Sequence, residues 1–293
     1  MTPIRQSQDE HGIIGREREL ATALAVLGAG RHLLLEGPVG VGKTTVALAV
    51  CAHLGRPTVR VDGDDRYSES KLTGWFDPPL VLERGYGSES FFAGPLVEAM
   101  RGGAVLFINE LNRMPESVQN VLLPALDERI VHVPHIGVVH AADGFQVVAT
   151  QNPVEYVATG HLSEAVRDRF EHLALEYQSA AEEIAITRRE TGCEDDGLVS
   201  VAVRLTRATR IHPRFRKGAS VRGAVATVVI AGGLEGEGAL RQAMEAALTT
   251  RVDLRDDIDA DLGAAFDELY EQVVVRGEDP EAAADESGAG PKA

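Results

Sequence analysis

Residues 37–44 have the composition and spacing of a phosphate-binding loop. They read Gly-Pro-Val-Gly-Val-Gly-Lys-Thr and fit the pattern G-x-x-x-x-G-K-[ST]. Glycines let backbone N–H groups wrap around phosphate oxygens, Lys43 would reach the β- and γ-phosphates, and the Thr44 hydroxyl would ligate Mg²⁺. We therefore predict a site for ATP and Mg²⁺ at this phosphate loop, formed by Gly37, Pro38, Val39, Gly40, Val41, Gly42, Lys43, Thr44 and Thr45.

A second segment, residues 105–110, has the residue types that could act on the bound phosphate. Its first four residues are apolar, as in a buried strand, and Asn109 and Glu110 follow. Glu110 is the candidate catalytic base, because a carboxylate at a strand end can orient and deprotonate an attacking water. Asn109 stands where such strands normally carry the Mg²⁺-associated aspartate, and a neutral amide gives less electrostatic help. We therefore expect weak or partner-dependent hydrolysis.

The segments around these residues alternate between strand and helix patterns. Helical spacing of apolar residues covers 15–28, and a second helical stretch covers 46–54. Compact apolar runs predict strands at 32–36, 58–61, 104–108, 146–150 and 172–176. Strands that alternate with helices predict an α/β fold with a parallel sheet sandwiched by helices.

Two irregular segments interrupt this pattern. Residues 67–95 are rich in Gly, Ser, Pro and aromatic side chains, which indicates an inserted loop or hairpin. Its aromatic residues could contact a substrate, or they could form a local mini-core around Trp75. Residues 130–145 predict a second hairpin, with valines on both sides of Pro134 and Gly137. The three histidines of this segment favour a hairpin surface over a metal site, because no cysteine or carboxylate accompanies them.

The remaining segments suggest how the chain is divided. Residues 1–12 are polar and predict a flexible leader, and residues 276–293 are acidic and predict a disordered tail. Amphipathic helices broken by glycines fill most of the sequence after residue 178. We therefore expect an α/β nucleotide-binding domain over 13–178 and an all-helical domain over 179–275.

Composition excludes several classes of protein. The 293 residues are 44% hydrophobic and 25% charged, which is ordinary for a globular protein. The formal net charge of −16 argues against a nucleic-acid partner, and the basic cluster at 204–222 suits a surface, subunit or phosphate contact better. No apolar run approaches the roughly 20 residues that cross a bilayer. We expect no membrane insertion and a cytoplasmic location, which also fits two cysteines that form no recognisable pairing pattern.

Four blocks, in this order and spacing, resemble the MoxR branch of the AAA+ ATPases, which is related to the ATPase subunit of magnesium chelatase. They are GPVGVGKT at 37–44, LFINELNR at 106–113, VVATQNPVE at 147–155 and LSEAVRDRFEH at 162–172. A fifth, KGASVRG at 217–223, matches the family's helical-lid motif more loosely, with Val221 where proline is common. The resemblance covers about residues 12–230. It implies a P-loop AAA+ sheet followed by a small helical lid.

The resemblance also implies roles for residues outside the two chemical segments. Asn152 corresponds to sensor 1, although an asparagine that caps a turn before Pro153 is an alternative. Arg169 resembles the arginine finger, which would act on a neighbouring subunit's nucleotide, with Arg167 as the alternative. Arg222 resembles the sensor 2 arginine of the lid. The adenine pocket would be lined by Ile14 and Gly15, unless they only mark the start of a helix.

At the level of function, the resemblance implies an ATP-hydrolysing, chaperone-like protein that remodels or matures a partner complex. Its partners would be further copies of itself in a ring, with six as the family expectation, and a von Willebrand factor A domain protein with its client. Metal-centre insertion is one such activity. The two irregular segments would face the pore or the partner. The alternative is a nucleotide-gated assembly scaffold with weak or no hydrolysis. A DNA-associated AAA+ protein and magnesium chelatase proper rank lower.

Overall fold

The computed structural model describes residues 3–152, 162–255 and 261–278. The chain divides into two compact units, residues 1–176 and residues 177–293. Within the described segments, no helix is long and apolar enough to cross a bilayer.

The first unit is built on a sheet of five parallel strands with helices around it. The strands of this unit are β1 (Leu33–Glu36), β2 (Thr58–Asp62), β3 (Gly74–Phe76), β4 (Phe91–Ala93), β5 (Val105–Asn109), β6 (Ile130–Val133), β7 (Gly137–His140), β8 (Gln146–Gln151) and β9 (Glu171–Ala174). The helices are α1 (Pro3–His11), α2 (Glu17–Gly28), α3 (Lys43–His53), α4 (Glu69–Thr73), α5 (Pro78–Arg84), α6 (Pro95–Gly102), α7 (Glu116–Asn120), α8 (Leu122–Asp127) and α9 (Glu164–Arg167), with a 3₁₀ turn at Leu111–Arg113.

The central sheet has the strand order β2-β5-β8-β1-β9, and every pairing in it is parallel. Strand β5 is buried on both faces, as continuous apolar strands of α/β sheets are, and Phe107 is fully enclosed. The expected fold is therefore confirmed, and the predicted strands differ from the observed ones by one or two residues at their ends. Because all five strands run the same way, their carboxyl ends meet at one edge, where ligands bind in such sheets.

Both irregular segments contain the expected hairpins. β3 pairs antiparallel with β4 in the first segment, and β6 pairs antiparallel with β7 in the second. The first segment also contains α4 and α5, two short helices that its composition did not predict. The ring of Phe76 packs against those of Phe91 and Tyr86, while Trp75 stacks on Phe92 and is 51% exposed. The local mini-core is thus centred on Phe76 and not on Trp75.

The predicted flexible leader is largely a helix, α1. The Gln8 side-chain amide donates to the Gly15 carbonyl oxygen at 2.7 Å, and the Ile13 N–H donates to the Gln8 carbonyl oxygen at 2.8 Å. α1 also packs against α2 and α3. Polar composition suggested a segment without structure, but these tertiary contacts hold the helix in place.

The second unit is mostly helical. Its helices are α10 (Ala180–Thr191), α11 (Asp196–Ile211), α12 (Val221–Ala231), α13 (Ala239–Leu248) and α14 (Leu262–Tyr270), and a π-helical segment follows at Glu271–Val275. It also contains an antiparallel pair, β10 (Phe215–Lys217) with β11 (Asp253–Leu254), which the all-helical prediction missed. His212 precedes Pro213 and is extended, so α11 ends there and the chain continues as a short strand. Of the predicted tail, residues 279–293 lie outside the described residues.

Candidate nucleotide-binding site

The phosphate loop connects β1 to the first turn of α3. Gly40 and Gly42 have φ angles of 80° and 91°, a region that side chains other than glycine seldom adopt. Gly37 lies so close to the segment after β9 that a Cβ there would be 2.1 Å from the Leu175 carbonyl oxygen. Lys43 is the first residue of α3, so the loop ends at a helix N-terminus, where partial positive charge favours anions. The loop therefore has the backbone conformation that the predicted phosphate site requires.

The ammonium group of Lys43 is held by its own loop. Its Nζ atom donates to the carbonyl oxygens of Gly37 at 2.5 Å and of Pro38 at 2.7 Å. These carbonyl contacts keep the charge beside the loop, where phosphate oxygens can replace them as partners. Two further members of the predicted set, Val39 and Thr45, are exposed.

The Asn109 side chain, at the end of β5, forms hydrogen bonds with residues of three other elements, β2, β8 and α3. Its Oδ1 atom accepts hydrogen bonds from the Thr44 hydroxyl at 3.1 Å and from the Thr150 hydroxyl at 3.0 Å. Its Nδ2 atom donates to the Asp62 Oδ1 atom at 3.0 Å. The ends of β2, β5 and β8 and the start of α3 thus come together at one amide.

This donor set fits a magnesium–nucleotide complex. Mg²⁺ is usually held by one or two protein oxygens together with nucleotide phosphates and water. Thr44 and Asn109 offer a hydroxyl and an amide oxygen side by side. Among the described residues no group of three or more His, Cys, Asp or Glu side chains could hold a metal ion alone.

Asp62 is a residue of this site that sequence reasoning missed. It ends β2 and pairs in register with Asn109 of β5. The hydrogen bonds from Arg60, and to a lesser degree the one from Asn109, hold the pKa of Asp62 below its usual range. The sequence gives no signal that β2 lies beside β5, so the contact could not be predicted.

Glu110 adopts an uncommon backbone conformation directly after β5. Its φ angle is 57°, a left-handed value that costs a non-glycine residue energy and is frequent at functional sites. The Glu110 N–H donates to the Thr150 hydroxyl at 2.9 Å, which fixes this turn. The carboxylate accepts a hydrogen bond from Arg113 at 2.8 Å and is 35% exposed. It is therefore held in place and open to solvent.

Asn152 follows the end of β8 and is buried. Its carbonyl oxygen accepts a long hydrogen bond, 3.5 Å, from the Asn112 amide. Pro153, on which the alternative of a capped turn depends, lies outside the described residues. The structure thus brings Asn152 to the same sheet edge as Thr150 and Asn109.

The predicted adenine segment is joined to the phosphate loop through an arginine that was not predicted. Ile14 and Gly15 precede α2, and Arg16 follows them with a φ angle of 66°. Arg16 is 7% exposed, and its guanidinium donates to the Val41 carbonyl oxygen at 3.0 Å and the Glu176 carbonyl oxygen at 2.5 Å. Leaving a buried guanidinium without hydrogen-bond partners costs free energy. These two hydrogen bonds therefore hold the predicted adenine segment against the phosphate loop.

Arg169 lies away from the phosphate loop of its own chain. Its Nε atom donates to both carboxylate oxygens of Asp127, at 3.1 and 2.9 Å, and Nη1 donates to the Ala165 carbonyl oxygen at 2.8 Å. It borders a polar cavity of about 380 Å³ together with His32 and Arg129. Among the described residues, none of its hydrogen bonds reaches residues 37–45. The alternative, Arg167, ends α9 and is exposed.

Arg222 belongs to the second unit. It is the second residue of α12 and is exposed. Its role as sensor 2 stays a prediction.

Comparison with known proteins finds a family model and several curated relatives. Residues 32–170 match the family model described as AAA domain (dynein-related subfamily). The chain is 33% identical to protein NorQ of Paracoccus denitrificans over 238 residues, 78% of this chain and 83% of NorQ. It is 28% identical to the gas vesicle ATPase GvpN of Ancylobacter aquaticus over 236 residues, 73% of this chain and 64% of that protein.

A solved structure extends the comparison to the fold. A point mutant of RuvB from Thermotoga maritima is similar with a TM-score of 0.56 and 20% identity. The match covers 95% of this chain and 83% of that one. At this identity the likeness concerns the arrangement of helices and strands alone.

Proposed function

The chain belongs to the MoxR family of AAA+ ATPases, and from this premise we propose that it hydrolyses ATP to remodel or mature a partner protein complex. The observation that carries the proposal is the meeting of Lys43, Thr44, Asn109 and Glu110 at the carboxyl edge of the parallel sheet. These residues offer a cation for phosphates, oxygen ligands for a metal and a carboxylate for a water. That combination suits phosphoryl transfer to water, in which positioning and electrostatics supply most of the catalysis.

In the proposed mechanism, the phosphate loop and the N-terminus of α3 bind the phosphates, and Lys43 exchanges its carbonyl partners for β- and γ-phosphate oxygens. Thr44 and Asn109 would hold Mg²⁺, which neutralises charge on the phosphates when bound. Glu110 accepts a proton from the attacking water, and Asn152 orients that water or the γ-phosphate. Ile14 and Gly15 would line the adenine.

Arg169 would complete the site of a neighbouring subunit in a ring, for which six subunits is the family expectation. Its contacts with Asp127 are compatible with this role, because a partly exposed ion pair is weak enough to be exchanged for a phosphate. Arg167 remains the alternative. Arg222 of the second unit would sense the γ-phosphate, and hydrolysis would move the helical unit against the α/β unit.

The partner is proposed to be a von Willebrand factor A domain protein with its client, with metal-centre insertion as one activity of this kind. The two hairpins would face that partner or the pore. Support comes from exposed aromatic rings, since Trp75 and Phe92 stack 6.0 Å apart and are 51% and 47% exposed. The acidic balance of the chain argues against nucleic acid as the partner, and a cytoplasmic location would suit ATP-dependent work.

A nucleotide-gated scaffold with weak or no hydrolysis is the second candidate. It is favoured by one observation, the neutral amide of Asn109 at the position where a carboxylate would help to hold Mg²⁺. Both candidates require nucleotide binding, and they differ in turnover.

Nucleotide binding and turnover by the wild type, Lys43→Ala and Glu110→Gln test this proposal. We expect Lys43→Ala to lose binding of a fluorescent ATP analogue by at least about tenfold, because the ammonium pairs directly with phosphates. Glu110→Gln should bind normally and lose nearly all turnover. Binding without turnover in the wild type at every protein concentration would favour the scaffold. Binding that does not depend on Lys43 would contradict both candidates.

A further inference from the structure

An asparagine at position 109 poses a problem that an aspartate does not. The two oxygens of a carboxylate are equivalent, whereas an amide has one acceptor oxygen and one donor nitrogen. Only the amide oxygen can approach a cation or the waters around it with the correct polarity. If the proposed function holds, the amide of Asn109 must therefore keep its oxygen on the side of Thr44.

The neighbours of Asn109 differ in what they can enforce. Thr44 and Thr150 contact its Oδ1 atom through hydroxyl groups, which can donate or accept. Asp62 contacts the Nδ2 atom at 3.0 Å, and an ionised carboxylate can only accept. If the amide were reversed, its oxygen would face the carboxylate and that hydrogen bond would become a repulsion. Asp62 is thus the neighbour that discriminates between the two orientations.

The fold places Asp62 in this position. β2 and β5 are parallel neighbours, and Asp62 and Asn109 are paired residues at their carboxyl ends. Arg60, two residues earlier on the same strand, donates to both carboxylate oxygens, at 2.8 Å to Oδ1 and 3.2 Å to Oδ2. The Asp62 side chain is 59% exposed, so solvent and Arg60 screen its charge over longer distances. Its effect on the site is therefore the short-range effect of an acceptor.

We propose that Asp62 is a positioning residue that locks the Asn109 amide with its oxygen toward Thr44 and the magnesium position. The inference rests on the proposed nucleotide function and deepens it. It also changes the meaning of Asn109→Asp. That variant restores the usual carboxylate, but it places that group opposite Asp62, where Nδ2 now donates at 3.0 Å. Two carboxylates at this distance repel each other.

A reciprocal exchange relieves the repulsion. In the double variant Asp62→Asn with Asn109→Asp, the new amide at position 62 can donate to the new carboxylate at position 109. The pair then again consists of one amide donor and one carboxylate acceptor, but the donor is at position 62 and the acceptor is at position 109. Asp65→Asn serves as the matched control, because Asp65 is 88% exposed and its ion pair is with Arg66.

The test measures the affinity for fluorescent ADP in Mg²⁺ and in EDTA, and takes the ratio of the two as the magnesium effect. We expect Asp62→Asn to reduce this ratio roughly tenfold, as for the loss of a charged hydrogen bond. The ratio for Asn109→Asp alone should be lower than the ratio for the double variant. The ratio for the double variant should be at least that of the wild type. Asp65→Asn should match the wild type.

The outcomes separate this inference from the proposed function. An unchanged ratio in Asp62→Asn, or additive effects in the four-protein cycle, would overturn the role of Asp62 alone. An equal loss of affinity with and without Mg²⁺, accompanied by a lower Tm, would assign Asp62 a merely structural role and overturn it as well. Wild-type binding that is insensitive to Lys43→Ala would overturn both proposals.

Discussion

Single side chains at the sheet edge determine which chemistry this site can perform. Asn109 provides an oxygen without a charge, and Glu110 provides a carboxylate on a turn with φ of 57°. The positions of the motif residues could be predicted from the sequence because the spacing of glycines, lysine and carboxylate is itself what a phosphate site requires, and their roles remain predictions. Asp62 and Arg16 were not readable, since their importance depends on which strand or loop lies beside them.

His32 is a partly buried residue whose ionisation opposes folding. Burial lowers the pKa of His32 from 6.5 to about 4, and its Nδ1 atom accepts the Val147 N–H at 3.0 Å. The pKa is lower in the folded state than in the unfolded state. The stability contributed by neutral His32 is therefore complete above about pH 6.5 and is lost as the pH falls toward 4.

We predict that urea unfolding will show this loss. The free energy of unfolding should fall by about 2 kcal/mol more between pH 7 and pH 5 in the wild type than in His32→Gln. His132→Gln changes an exposed position of the β6–β7 hairpin. Its free energy of unfolding should depend on pH as that of the wild type does. The same pH dependence in all three proteins would refute the assignment to His32.

The strands and hairpins followed from patterns that are local in sequence. β1, β5 and β8 were visible as apolar runs because both of their faces are buried, and the two hairpins were visible from their turn residues. α1 could not be predicted from the sequence. Its own composition is polar, and the helix is held by side-chain contacts such as that of Gln8. The β10–β11 pair joins short segments that are far apart in the sequence. The order of strands, and with it the site around Asn109, is equally non-local.

Gly37 provides a test of how the phosphate loop is packed against the sheet. An added Cβ would lie 2.1 Å from the Leu175 carbonyl oxygen, so the loop or the segment after β9 would have to move. We predict that Gly37→Ala lowers the free energy of unfolding by about 2 kcal/mol and weakens nucleotide binding. Chemical denaturation measures the first effect.

Gly28→Ala is the matched control for this substitution. A Cβ at Gly28 would have no atom within 4 Å apart from its chain neighbours and the backbone of its own helix, and the residue ends α2. The change should be neutral or stabilise the protein by up to about 1 kcal/mol. A Gly37→Ala protein as stable as Gly28→Ala would show that the loop is not packed as described.

At the scale of the whole molecule, Arg169, the proposed arginine finger, makes no hydrogen bond to the proposed nucleotide site of its own chain among the described residues. Within the described residues, the hydrogen bonds of Arg169 go to Asp127 and Ala165, on a surface apart from residues 37–45. Each unit has buried hydrophobic clusters of its own. The central claim is therefore that catalysis belongs to an assembly, in which one subunit supplies Glu110 and its neighbour supplies Arg169.

Mixing two inactive variants tests this claim most directly. Glu110→Gln lacks the base and Arg169→Ala lacks the finger, so each alone should show little ATP turnover. In a mixture, some interfaces combine the intact Glu110 of one subunit with the intact Arg169 of the next. We predict that turnover in the mixture rises well above that of either variant, while Arg167→Ala remains active alone. A mixture no more active than the average of its components, at concentrations where the wild type assembles and turns over ATP, would contradict the account.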